Sequence, residues 1–295
     1  MSLSELKKKY DLRIERLEAD SNDLGRFFAS VDNHFDAEVG ADYMSAVEWM
    51  LRHYQASKHL LGATLFFAQT LHLNGTALSN LASYTAYYSI HHALSAVFVL
   101  FPQKKFEQVT RISHAASRNW LQEELVRRKV FPQKSLDAFD AALLAREGFS
   151  YRIPLSSNPG GEESSRFLEK AVSSMDQLVP ALAQFGNLLS FATHEASVRK
   201  FGDDIKDEYH AHQGDVDTLF FSMLQISGRT ESDFLIDDDD YSRAGYVIRK
   251  RSIAPLRWFV EDKLMEDIEC GWWEQSGDDD FDVTEARRLL DTWLW

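Results

Sequence analysis

The sequence predicts an all-α protein, with a helical bundle over residues 43–200 followed by an acidic, mostly helical C-terminal region over 201–295. Apolar residues recur at steps of three and four along most of the chain, which is the period of a helix. Gly, Pro and Asn separate these stretches, as breaks between helices require. Strand-like alternation is limited to AGYVIRKRSI at 244–253. We therefore expect helices packed around one large core.

The first 42 residues are predicted to form one N-terminal helix and a linker. Apolar positions such as Leu3, Leu6 and Tyr10 place an amphipathic helix over 2–18. Asp42 is a suitable N-cap for a long helix from Tyr43 to about His72, which the Asn-Gly pair at 74–75 ends.

The central helix is predicted over 76–101, because this stretch is apolar on most faces and stops before Pro102. A helix over about 108–129 and another over 136–147 should follow, the second capped by Ser135 and ended by Gly148. Beyond a Pro, Gly and Ser-rich loop at 154–165, a long helix over 162–200 contains Pro180, where we expect a kink. Shorter helices are predicted at 215–226, 253–269 and 283–293.

The charge of the chain is unevenly distributed. Residues 201–295 hold 10 basic and 24 acidic side chains, which accounts for the whole net charge of −14. Residues 101–152 hold 10 basic and 6 acidic side chains, a local excess that would attract an anion. It includes Arg127, Arg128 and Lys129, which we interpret as candidate RNA contacts. Alternatively, these three residues form a solvated helix end, where cations complement the helix dipole.

Cysteine content and hydropathy predict a soluble, cytoplasmic protein with no membrane segment. Cys270 is the single cysteine, so neither an intramolecular disulfide nor a cysteine-built zinc site is possible in this chain. The N-terminus lacks the apolar run of a secretory signal, and no stretch approaches the roughly 18 apolar residues of a membrane span.

Motifs of familiar chemistries are absent, and we predict neither a metal nor a cofactor. His210 and His212 are two residues apart, but the sequence fixes no third ligand. The aspartate runs at 236–240 and 277–282 lack the spacing of a calcium loop and are interpreted as solvated. A cluster of tryptophans near the C-terminus suggests a surface for a protein partner, or core packing: Trp258, Trp272, Trp273, Trp293 and Trp295.

Two helices carry polar tips on otherwise apolar faces. Tyr84, Tyr88 and His91 or His92 share one face of the central helix. The second group, Arg146, Tyr151 and Arg152, follows the apolar residues of the helix predicted over 136–147. If the two helices pack together, these groups form a partly dry anion pocket. Otherwise each tip reaches solvent or caps a carbonyl.

These segments resemble the HEPN superfamily of bacterial helical bundles. The resemblance rests on ASYTAYYSIHHALSAVFVL at 82–100, the link containing His114, RRKVFP at 127–132 and FDAALLAREGFSYR at 139–152. One branch of that superfamily has a tyrosine-rich helix of the kind AYYAMFHAA, followed downstream by an arginine with an aspartate-tyrosine pair. Tyr87, Tyr88, Ala93 and Arg146 with Tyr151 match these positions, and the similarity covers about 43–180.

The resemblance implies a subunit of a bacterial anti-phage defence or toxin-antitoxin assembly, and a homodimer. HEPN ribonucleases place a histidine shortly after their arginine, whereas the residue five positions after Arg146 is Tyr151. Arginine would clamp the phosphate, and Tyr151, His91 or His92 would handle the proton. Tyr84, Tyr88 and Arg152 are the further candidate ligand contacts.

Three functions remain open from the sequence. The first is a HEPN-like subunit that acts through protein contacts and recognition of RNA or a nucleotide. The second is an active metal-independent endoribonuclease, and the third is a purely structural helical adaptor in which Arg146 has no role. Arg52 and His59, six residues apart, match the HEPN pattern literally but lie on the first bundle helix, so we interpret that match as coincidental.

Overall fold

The computed structural model is all-α over the residues it describes, which are 3–12, 14–76, 79–110, 112–151, 162–202, 211–224, 255–259 and 283–294. The helices, numbered along the chain, are α1 (Leu3–Tyr10), α2 (Ser21–Glu38), α3 (Tyr43–Leu73), α4 (Ser79–Val99), α5 (Phe106–Val109), α6 (His114–Trp120), α7 (Gln133–Tyr151), α8 (Glu162–Phe201), α9 (Gln213–Leu224), α10 (Leu256–Phe259) and α11 (Val283–Leu294). A π-helical segment, Leu121–Val126, continues α6. No helix of this described part is long and apolar enough to span a membrane.

Helix α4 lies at the centre of the bundle, packed against α3, α7 and α8. Its side chains are buried on most faces, and Ala86, Ile90, Leu94 and Phe98 have no exposed surface. This burial explains why the segment is apolar on most faces, since a helix with neighbours on most sides has little surface in contact with water. Asp42 caps α3 as predicted, accepting a hydrogen bond from the Ser45 amide at 2.9 Å.

The N-terminal 42 residues differ from the prediction, because they form two helices rather than one. The first ends at Tyr10, and Asp11 has a φ of +49°, which the helix cannot continue through. The second, α2, begins after Asp20, whose carboxylate accepts from the Asn22 amide. It buries an apolar stripe against α8: Leu24, Phe27, Phe28, Val31 and Phe35.

The stretch from 106 to 151 is also divided differently. The helix expected over 108–129 is split into α5 and α6, and Ser113 caps α6 by accepting from the Ala116 amide. The prediction that Gly148 ends the next helix is wrong, because α7 continues to Tyr151. Arg146 therefore lies inside a continuous helix, with one further turn beyond it.

The described parts of the acidic C-terminal region pack mainly against α3 and α8. Leu256 of α10 and Leu290 and Trp293 of α11 are buried in the common core. Trp293 is therefore a core residue, its ring 5.0 Å from that of Phe67. Both aspartate runs, the strand-like stretch 244–253, His210, Trp272, Trp273 and Trp295 lie outside the described residues.

Candidate functional site: a tyrosine, histidine and arginine cluster

Helices α4 and α7 pack side by side, so that the arginine of one meets the tyrosines of the other. The Arg146 Cζ atom lies 5.3 Å from the Tyr87 ring centroid, 5.7 Å from that of Tyr88 and 5.9 Å from that of Tyr84. Of the two alternatives that the sequence left open, the structure shows the one in which the two helices pack together. Each arginine-aromatic contact at such a partly exposed position contributes about 0.5 to 1 kcal/mol.

The Arg146 guanidinium keeps an unused donor. Its Nε atom is buried and has no hydrogen-bond partner among the described residues. No carboxylate of the described part of the chain forms an ion pair with it, although Glu147 is its neighbour in sequence. A buried N–H without an acceptor costs free energy, and an anion or water at this position would recover it.

Three tyrosines of α4 surround the guanidinium. Tyr87 is fully buried, Tyr88 is half-buried, and Tyr84 is 40% exposed. Burial raises the pKa of Tyr87 against the opposing positive charge of Arg146. Burial, together with a hydrogen bond from Tyr84, raises the pKa of Tyr88 against the same charge. The phenols of Tyr87 and Tyr88 therefore stay protonated at neutral pH and can donate hydrogen bonds.

His114 is a member of this cluster that the sequence analysis did not select. It is the first residue of α6, and its Nδ1 atom lies 2.8 Å from the Tyr87 hydroxyl. Burial and, to a smaller extent, the positive charge of Arg146 lower its pKa. The available signal was Ser113, whose N-cap chemistry places the following histidine on the first turn of a helix.

His91 and His92 do not point to the same side of α4. The Nδ1 atom of His91 lies 3.0 Å from the Ser117 hydroxyl of α6. The Nδ1 atom of His92 lies 3.1 Å from Nδ1 of His59 on α3. Burial lowers the pKa of His91 to about 3 and that of His92 to about 4, so both rings are neutral at pH 7. The His91 ring contacts the His114 ring at an angle of 53°, with centroids 4.5 Å apart, whereas His92 contacts α3.

The structure does not bring the basic triplet at 127–129 to this cluster. Arg127 follows His114 by thirteen residues, which corresponds to about 20 Å along a helix. Arg127 pairs with Glu123, and Arg128 with Glu124 at 3.3 Å. Lys129 has a φ of +59° and stands where the helical segment ends. Tyr151 is the last residue of α7, but its side chain and the whole of Arg152 lie outside the described residues.

The cluster thus consists of one guanidinium, hydrogen-bonding phenols and neutral imidazoles, formed by α4, α6 and α7. This set of groups suits an anion rich in acceptors. Within the described residues, no three His, Cys, Asp or Glu side chains are grouped to hold a metal ion. No family model matches the chain, and neither the curated proteins nor the solved structures include a match to it.

Proposed function

We propose that the chain is a HEPN-like helical subunit that binds a phosphate group of RNA or of a nucleotide at Arg146. The observation that supports this is the position of the Arg146 guanidinium between three tyrosine rings, with a buried Nε donor that has no acceptor in the described part of the chain. A phosphate offers several acceptor oxygens, two of which the planar fork of an arginine can contact at once. The site therefore suits a ligand with hydrogen-bond acceptors better than an ion pair with a carboxylate of the protein.

The neighbours of Arg146 strengthen this proposal. A protonated Tyr87 phenol can donate to Nδ1 of His114, and the ring proton then resides on Nε2 as a further donor. Because the neighbouring His91 is neutral, it does not add a second positive charge that would repel Arg146. The cluster stays compact without an anion and gains an interaction when an anion is bound.

The test is direct binding of inorganic phosphate and of a short RNA, measured by isothermal titration calorimetry. Arg146→Gln removes the charge but keeps a polar side chain, and we expect it to weaken binding of both probes by about tenfold or more. Arg127→Gln is the matched control, since it removes an arginine of the same charge that lies outside the cluster. Equal affinities of Arg146→Gln and the parent protein would refute the proposal.

The wider role, as part of a bacterial defence or toxin-antitoxin assembly with a protein partner and as a homodimer, is part of the same proposal and is supported by the resemblance alone. Size-exclusion chromatography with light scattering tests the dimer at micromolar concentration. A monomeric protein that still binds phosphate would support the binding site and contradict the proposed homodimer.

A second candidate is a metal-independent endoribonuclease, and the position of His114 favours it. His114 shares the Tyr87 contact with Arg146. In that reaction, His114 would be in its other tautomer, with Nδ1–H donating to the Tyr87 hydroxyl, so that Nε2 can take the proton of a 2′-hydroxyl. The 2′ oxygen attacks the adjacent phosphorus and the bond to the 5′ oxygen breaks; water gives that leaving oxygen a proton, and the hydroxide formed takes the proton held by His114. Arg146 would stabilise the charge that develops on the phosphate oxygens.

Cleavage of total RNA in the presence of EDTA separates these candidates. The enzyme predicts cleavage that Arg146→Ala and His114→Ala both abolish. If the chain is a binding subunit, it should retain RNA without cleaving it. If it is a structural adaptor, it should not bind RNA, and replacing Arg146 should change neither measurement.

A further inference from the structure

The surface beside Arg146 carries an exposed aromatic ring. Tyr84 is 40% exposed, and its ring centroid lies 5.9 Å from the Arg146 Cζ atom. Given the phosphate site proposed above, we infer that the ligand is a single nucleotide unit whose unpaired base stacks on Tyr84 while its phosphate binds Arg146. Such a unit is either a free mononucleotide or the end of a single strand.

The Tyr84 ring packs against the ring of Tyr88, which limits its movement. Its hydroxyl donates to the Tyr88 hydroxyl at 3.4 Å, and the two ring centroids are 4.6 Å apart. Leu81, which precedes it by nearly one turn of α4, is 53% exposed and extends the same face. A fixed aromatic face beside a cation is the arrangement on which unpaired bases stack in single-strand binding proteins.

The charges around the site fit one phosphate rather than a chain of them. Arg118, the nearest arginine on α6, is engaged by both oxygens of Asp140 at 2.6 Å. Arg127 and Arg128 are paired with glutamates at the far end of the same helical segment. The chain as a whole has a net charge of −14, which repels a long polyanion. Among the residues that the structure describes here, one cation without an acidic partner and one exposed ring therefore match one phosphate and one base.

The experiment compares four probes by calorimetry: adenosine monophosphate, adenosine, inorganic phosphate and a 20-nucleotide single-stranded RNA. Adenosine monophosphate should bind about tenfold more tightly than either adenosine or phosphate, because it uses both halves of the site. Tyr84→Ala should weaken its binding about tenfold and leave phosphate binding unchanged, whereas Tyr84→Phe should retain it. Arg146→Gln should weaken binding of both phosphate-containing small probes.

Salt dependence distinguishes a single nucleotide from a strand. With one phosphate contact, the logarithm of the binding constant of the single-stranded RNA should fall with the logarithm of salt concentration with a slope of about −0.7. A 20-nucleotide RNA that binds no more tightly than adenosine monophosphate supports the inference, with its end as the contact. An RNA that binds far more tightly, with a steep slope, overturns it.

The two proposals fail separately. An unchanged affinity of Tyr84→Ala for adenosine monophosphate removes the stacking inference and leaves the phosphate site at Arg146 standing. An unchanged affinity of Arg146→Gln for phosphate removes the proposed function itself.

Discussion

Arg52 of α3 donates from Nη1 to the carbonyl of Val99 at 3.0 Å, at the last residue of α4. Its Nη2 atom donates to the carbonyl of Lys104 at 2.9 Å, and its Nε to Glu48 at 2.7 Å. The last carbonyls of a helix lack hydrogen-bond donors within the helix, and here the Arg52 side chain supplies a donor to one of them. Arg52 is occupied in this way and His59 contacts His92, so both residues of the literal arginine-histidine match have structural roles in the fold.

Replacing Arg52 should destabilise the fold strongly. Arg52→Met keeps the length of the side chain but leaves buried carbonyls and the Glu48 carboxylate without their donor, at a cost of about 3 to 5 kcal/mol. Urea denaturation monitored by circular dichroism measures this change. Arg127→Met removes an exposed ion pair and should shift the free energy of unfolding by no more than about 1 kcal/mol. A similar small loss for both variants would contradict the role assigned to Arg52.

Stability should fall as the pH is lowered from about 6.5 towards 4.5. Burial lowers the pKa of His53 to about 4, of His91 to about 3 and of His92 to about 4, from an ordinary value of 6.5. Above pH 6.5 these rings are neutral in both the folded and the unfolded chain, so their full contribution is present. Between pH 6.5 and 4.5 the unfolded chain takes up protons that the folded chain does not. This lowers the free energy of unfolding by about 1.4 kcal/mol per pH unit for each histidine.

Urea denaturation at several pH values measures the dependence of the free energy of unfolding on pH. His92→Phe should reduce this slope by about 1.4 kcal/mol per pH unit, the contribution of one histidine. Carboxylates whose pKa is lowered, such as Asp42, lose their contribution at lower pH and do not account for this window. A free energy of unfolding that is constant from pH 6.5 to 4.5 would contradict the burial of these rings.

The fold could be predicted where the local signal and the packing agree. Asp42 and the Asn-Gly pair at 74–75 bound α3 closely, because N-caps and turn residues act on neighbouring backbone. Helix α2 was missed because its polar first turn resembles a linker, and only its packing against α8 makes its phenylalanines a core face. The prediction that Gly148 ends a helix was wrong for a related reason. A glycine inside a helix costs about 1 kcal/mol, and contacts with neighbouring elements can offset that cost.

The site was predictable only in part. Arg146 and the tyrosines share faces with apolar residues, and this pattern indicates two buried faces that meet. The partners of the histidines come from other elements, as with His59 and His114, and the spacing along one helix does not encode such pairs. Counts of charge also failed to separate Arg127, which pairs with an acid, from Arg146, which has no acidic partner within the described ranges. Such pairing depends on whether an acid stands four residues away on the same helix face.

Lys129→Gly should stabilise the protein. Lys129 has a φ of +59°, a conformation that costs a residue with a Cβ about 1 kcal/mol relative to glycine, and its side chain is exposed. Thermal unfolding measures the gain. Lys170→Gly is the control, because Lys170 is an exposed residue inside α8 where glycine should cost about 1 kcal/mol. Loss of stability in both variants would contradict the turn assigned to residue 129.

Arg146→Met should raise the pKa of His114. Burial is the main reason that this pKa is lowered, and the positive charge of Arg146 adds to it. Removing that charge while keeping an apolar side chain of similar length leaves the burial and relieves the repulsion of the protonated ring, so the imidazole should hold its proton to higher pH. A titration followed by nuclear magnetic resonance of the His114 ring protons measures the shift. Lys129→Met, which removes a distant charge, should leave the His114 titration where it is. If both variants titrate like the parent protein, Arg146 does not lie beside His114, and the arrangement on which the phosphate site depends is wrong.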